Sequence, residues 1–192
     1  MEYRLVPPFP GRGGKIRGGM MKELLLLRHA KSSWDDPSLA DVERPLAPRG
    51  RRAAPRMGRE LARRGWLPDR VLVSPARRAQ QTWRLVAAEI GRMELAPGSG
   101  EGLYMAAPEQ LLAALQEIPE KAARVLLVGH NPGMEDFASR LAGDGSEEDA
   151  LERMREKFPT AAVARFAFDG RWDALSFGQA RLLDFLKPRD FG

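Results

Sequence analysis

Apolar and polar positions fall in blocks along this chain. Leu24–Leu27 form an unbroken apolar run that stops at Arg28-His29. Val71-Leu72-Val73 stops at Ser74, and Val125–Val128 stops at Gly129-His130. Short runs with no polar alternation suit strands buried on both faces, as in a parallel sheet. Helical stripes lie between them. Ala53, Met57 and Leu61 recur four apart over residues 49–64, and Gly65 supplies the stop. Pro55 falls inside that stretch and predicts a kink or a late start. Ala79, Trp83, Val86 and Ile90 mark a second helix, with Ser74 read as its N-cap and Pro75 as its first residue. Leu111, Leu115 and Ile118 mark a third over 108–118. Met134, Phe137, Ala138 and Leu141 mark a fourth, opened by Asn131-Pro132 in the same cap-plus-proline manner.

Weaker signals suggest a short strand at 93–96, an acidic, mobile loop at 143–149 and a short helix at 147–157. Near the C-terminus Ala162, Ala164, Phe166 and Phe168 alternate with Val163, Arg165 and Ala167, which is period two. Asp169-Gly170 then predicts a hairpin into 172–177. Strand–helix alternation followed by a hairpin predicts an α/β fold. The expected form is a mostly parallel sheet covered by helices on both faces, with an antiparallel addition near one edge.

Residues 1–19 fit no element. They carry Pro7, Pro8 and Pro10, several glycines and no apolar periodicity, so they read as a disordered extension. Met20-Met21 follows, and residues 20–192 read as one domain. No apolar run reaches the length of a membrane span. The expectation is a cytoplasmic protein with no membrane partner. The chain has no cysteine, which excludes disulfides, thiolate metal sites and cysteine-based phosphatase chemistry. Its net charge of +5 raises nucleic acid as a partner. The arginines are spread along the chain, though, and are modestly concentrated only at 44–64. A solvated cationic surface is the favoured reading, and no nucleic-acid partner is expected.

Both histidines of the chain sit just past apolar runs, where strand ends of an open sheet build ligand sites. Histidine at such a place is often structural. Here both occupy it, and Arg28 adjoins one. A neutral imidazole is a competent nucleophile toward phosphorus, and arginine presents a permanently charged fork to paired oxygens. A nucleophilic ring needs one bare nitrogen, with the other donating to a fixed acceptor such as a carbonyl. Arg77 and Arg78 cannot be separated by charge. On a helix they point about 100° apart, so only one faces a site.

Leu27-Arg28-His29-Ala30, Ser74-Pro75-Ala76-Arg77-Arg78-Ala79-Gln80-Gln81-Thr82 and Gly129-His130-Asn131-Pro132 together resemble the histidine phosphatase superfamily. Its signature is Arg-His-Gly, with Ala30 here in the third place. Arg28–Ser32, Arg44-Pro45-Leu46 and the short length are most similar to its SixA-like phosphohistidine phosphatases. The resemblance implies a phosphoglycerate mutase-like three-layer α/β/α sandwich. It implies His29 as the phosphate-accepting nucleophile, with Arg28, Arg78 and His130 as the phosphate pocket. It selects Arg78 over Arg77, because the family arginine precedes Ala-x-Gln-Thr. It implies no metal and no organic cofactor. The substrate implied is phosphohistidine on a protein partner, or otherwise a small phosphate ester. A phosphate-binding module without turnover is a further alternative, and the oligomeric state is left open. Many members also use a carboxylate to protonate the leaving group. Glu101 is the candidate by order, with Asp35, Asp36 and Asp136 behind it, although a labile phosphoramidate would need no such acid. Lys31 and Arg44 are candidates for the cationic rim.

Overall fold

The structure is a computed structural model that describes residues 21–98 and 100–191. The expected disorder of 1–19 lies outside those residues. The strands are β1 (Met21–Arg28), β2 (Arg70–Val73), β3 (Arg124–Gly129), β4 (Val163–Asp169) and β5 (Arg181–Leu186). The helices are α1 (Pro48–Arg63), α2 (Arg77–Ile90), α3 (Pro108–Gln116), α4 (Gly133–Leu141) and α5 (Glu148–Glu156). One sheet runs in the order β2-β3-β1-β4-β5. β2, β3 and β1 are mutually parallel, and β4 pairs antiparallel with both β1 and β5. The expected mixed α/β/α sandwich is therefore present, with the reversed strand one place in from the edge.

The leucine run of β1 has no polar alternation because helices cover both faces. Leu24 and Leu26 join the core beneath α3, α4 and α5, while Leu25 and Leu27 join the core beneath α1 and α2. All four are fully buried, each a gain of about 1.5–3 kcal/mol over exposure. The period-two stretch divides in the same way: Ala164, Phe166 and Phe168 face the first core and Val163 the second. Met134, Phe137, Ala138 and Leu141 of α4 are all buried, as their spacing predicts.

Four expectations change. α1 starts at Pro48 and runs through Pro55, so there is no late start. The carbonyl that loses its partner at Pro55 belongs to the exposed Arg51. No strand forms at 93–96; Gly98 alone bridges to Leu72. The hairpin partner of β4 is 181–186, not 172–177. Trp172 instead begins a 3-10 turn and is fully buried, its indole N–H donating to the Ala122 carbonyl at 2.8 Å. Finally, neither Ser74 nor Asn131 caps a helix. α2 starts at Arg77 with no side-chain cap, and α4 follows Pro132 likewise.

Two close approaches bring the helices to the sheet ends. A methyl group on Gly50 would lie 2.2 Å from the Lys31 carbonyl oxygen, so only glycine lets α1 close on the loop after β1. α1 then ends at Gly65, whose φ of +68° is the left-handed stop glycine tolerates.

Candidate active site

Register alone brings the two histidines together. Arg28 of β1 pairs with Gly129 of β3, so His29 and His130 are the next residues on neighbouring parallel strands. Their ring centroids lie 4.9 Å apart. Val73 of β2 pairs with Val128, which places Ser74 across from Gly129, one residue before His130. The Ser74 hydroxyl is 2.6 Å from Nε2 of His130. The same oxygen accepts from the Ala76 amide at 3.3 Å, and α2 begins only at Arg77, beyond the place Ser74 could cap.

Hydrogen-bond partners fix the tautomers. Nδ1 of His29 lies 2.8 Å from the Ala30 carbonyl, which only accepts. Nδ1 therefore carries the proton and Nε2 is left with a lone pair. At His130 the assignment is reversed. Its Nδ1 faces an Arg78 nitrogen at 3.3 Å, and guanidinium only donates. The His130 proton sits on Nε2 and is given to Ser74. Burial holds the His29 pKa down at about 4, with the charges of Arg78 and Arg28 adding to it and the Ala30 bond opposing it. Burial, then His29 and Arg78, hold His130 down at about 3. Both rings are neutral at pH 7.

Arg78, in the first turn of α2, is 4% exposed while Arg77 is exposed, so Arg78 is the one that turns inward. Its two terminal nitrogens donate to Asp41, one to the backbone oxygen at 2.5 Å and one to the carboxylate at 2.8 Å. The Tyr104 hydroxyl donates to the same carboxylate oxygen at 2.7 Å. These bonds hold Asp41 below the usual carboxylate range, that of Tyr104 most of all. Thr82, one turn along α2, accepts from the Ala30 amide at 2.9 Å and donates to the Arg78 carbonyl. One helix turn thus ties the loop after His29 to the arginine. Arg28 donates to the Phe158 carbonyl at 2.7 Å, and burial lowers its pKa.

Arg28, His29, Arg78 and His130 all line one open cleft of about 450 Å³. Lys31 is on its rim. Arg44 is not; its guanidinium stacks on Trp34 at 3.6 Å. Asp41 is the only carboxylate among the described residues lining the cleft. Of the acids expected, Asp35 bonds Ser33, Asp36 bonds Ser38 and Asp136 is exposed on α4, so none of these enters it. The Glu101 side chain lies outside the described residues. Sequence reasoning misses Asp41, Tyr104 and the bond from His130 to Ser74. Asp41 stands three residues before the Arg44-Pro45-Leu46 run, and that proximity is the one available signal. Tyr104 has none. Among the described residues no cluster of three or more His, Asp or Glu is placed to hold a metal ion.

Comparison with known proteins gives concordant results. Residues 24–103 match the family described as the histidine phosphatase superfamily, branch 1. An uncharacterised protein of Mycobacterium tuberculosis is 37% identical over 170 residues, covering 85% of this chain and all of that one. Among solved structures, a candidate phosphohistidine phosphatase SixA from Nakamurella multipartitia superposes with a TM-score of 0.73 at 30% identity. That match covers 88% of this chain and 96% of the other. A phosphoglycerate mutase from Bacillus anthracis shares the fold, with a TM-score of 0.57 at 15% identity over 86% and 93% of the two chains.

Proposed function

The chain belongs to the histidine phosphatase superfamily, on its SixA-like side, and from that premise we propose that it is a phosphatase working through a phosphohistidine on His29. One observation carries this reading. His29 gives its only ring proton to the Ala30 carbonyl, so Nε2 keeps a lone pair inside a cleft lined by two guanidinium groups.

In the first step Nε2 attacks phosphorus, the P–N or P–O bond to the leaving group breaks, and the leaving group takes up a proton from water in the open cleft. In the second, water attacks the phosphorus, the His29–phosphorus bond breaks and inorganic phosphate departs. Arg28 and Arg78 stabilise the charge spread over the equatorial oxygens. His130 is neutral and its Nε2–H donates a hydrogen bond to Ser74. It donates to a phosphate oxygen only after the arriving dianion raises its pKa and Nδ1 takes up a proton from solvent. Asp41 and Tyr104 hold Arg78 in place before that. No cofactor enters either step.

The substrate proposed is phosphohistidine on a protein. The cleft is open, and its rim carries two large apolar side chains left in solvent, Trp34 at 65% and Met105 at 51% exposure. Exposed apolar groups around a charged centre suit contact with a protein surface. Turnover of a histidine-phosphorylated protein should exceed that of sugar and nucleotide phosphates in kcat/KM. Better turnover of any small ester would reverse the substrate assignment and leave the mechanism. Phosphate binding without turnover on either would overturn both.

A further inference from the structure

Helix α1 is divided into two electrostatic halves. Toward its C-terminus the cations are answered: Arg59 pairs with Glu89 and Arg63 with Glu60, both at 2.8 Å, and Arg64 reaches Glu60 and Asp184. Toward its N-terminus Arg49, Arg52 and Arg56 are exposed and pair with no carboxylate among the described residues. They recur at i, i+3 and i+7, so they form one stripe about 10 Å long. The first turn of α1 has no acidic residue. Cations there oppose the positive end of the helix dipole, so the arrangement is unfavourable for the fold itself.

The stripe leads to the cleft. A shallow depression of about 300 Å³ is lined by Arg49, Arg52, Arg56 and Arg189, with Ala53 and Pro188 as its floor. A narrower one of about 90 Å³ joins Arg49 and Arg189 to Lys31 and Thr160, and these last two also line the catalytic cleft. No described carboxylate lines either depression. Lys187, which also borders the narrower one, is neutralised by Glu156 at 2.5 Å, and Arg189 lies 3.5 Å from the same carboxylate.

We propose that this ridge, formed by Lys31, Arg49, Arg52, Arg56 and Arg189, docks an acidic face of the partner protein beside its phosphorylated side chain. This rests on the phosphatase reading above. Continuity with the cleft puts the two anionic groups on one partner. The observations favour a protein over a nucleic acid. The stripe stops where the ion pairs of α1 begin, and among the described residues the ridge offers no aromatic side chain on which a base could stack. Charges so placed steer encounter and set partner choice, and they weaken with salt.

The test uses two phosphohistidine peptides of one core sequence, flanked on one side by glutamates or by glutamines. Phosphoramidate serves as a small substrate. The whole protein should favour the glutamate peptide at least tenfold in kcat/KM at low salt, with the preference gone at high salt. The triple variant R49E/R52E/R56E should reverse the preference and leave phosphoramidate turnover unchanged. R49Q/R52Q/R56Q should abolish the preference, and it provides the same reading if charge reversal prevents folding. Equal kcat/KM for both peptides with the natural chain overturns the proposal. So does salt-sensitive oligonucleotide binding that the triple variant loses while peptide preference stays flat. Absence of turnover on every substrate defeats the phosphatase reading instead. Peptide binding then decides the ridge: tighter binding of the glutamate peptide upholds it and equal binding overturns it.

Discussion

Two depressions in this molecule are built from similar residues and do different things. One, of about 740 Å³, lies along β5 and is lined by Arg64, Arg153, Arg165 and Asp184 among others. The other is the smaller histidine cleft. In the larger one the charges are answered. Arg165 bonds Glu23 at 2.9 Å and Asp184 at 3.1 Å, Arg64 faces Asp184 at 3.8 Å, and Arg153 pairs with Asp190. Trp66 lies beneath both Arg64 and Arg165. In the smaller cleft Arg28, Lys31, Arg78 and the two imidazoles stand against Asp41 alone among the described residues. Size does not mark the anion site; the excess of cations at strand ends does. A balanced network contributes to the fold, whereas an unbalanced one needs an anion from outside.

The contrast between the two predicts a ladder of effects. His29→Ala should lower turnover by more than about 10⁴-fold, since the attacking atom is gone, with the circular dichroism spectrum retained. Arg78→Ala should cost about 10²- to 10³-fold in kcat, roughly 3–4 kcal/mol of transition-state stabilisation. Arg77→Ala, exposed one position away, should stay within about 0.5 kcal/mol in both rate and stability. If Arg77→Ala proves the worse of the two, the cleft does not owe its anion affinity to the buried guanidinium.

The pH dependence comes next. A histidine at its ordinary pKa of about 6.5 would leave roughly 3% of the neutral form at pH 5. With His29 held down at about 4, kcat/KM at pH 5 should remain most of its value at pH 7, and its acid limb should lie near 4. The same shift acts on stability. The unfolded chain takes up the proton near pH 6.5 and the folded one resists until about 4, so stability is complete above 6.5 and declines as pH falls between them. Urea titration at pH 7 and pH 5 measures this. Ser74→Ala removes the acceptor for His130 and should cost about tenfold in kcat, on the order of one hydrogen bond to a positioned group. Asp184→Asn, in the balanced depression, should leave turnover unchanged and lower stability by about 1 kcal/mol.

Much of this fold is legible in local sequence patterns. The Leu24–Leu27 run and the α4 stripe depend only on which side of an element is covered, and periodicity carries that. His29 and His130 are legible because each follows an apolar run, and register then brings them together; Arg78 is told from Arg77 only by the family resemblance, since their charge is the same. The partner of β4 is not, because Trp172 and Phe177 look like strand residues yet Trp172 plugs the core. Ser74 reads as a cap because Pro75 looks like the first residue of a helix that in fact starts at Arg77, and its partner His130 is 56 residues away. Asp41 escapes notice for a similar reason: its role exists only through Arg78, 37 positions on, and Tyr104, 63 positions on. Long-range polar contacts leave no period in the sequence.

At the centre of this mechanism phosphorus passes through a bond to His29. Rapid quenching of the natural chain with a radiolabelled phosphohistidine peptide, followed by peptide mapping, tests that bond most directly. The expected result is a base-stable, acid-labile label on His29 that forms and decays within one turnover and is missing from His29→Ala. Turnover with no label at any time, or a label on His130 instead, would contradict it.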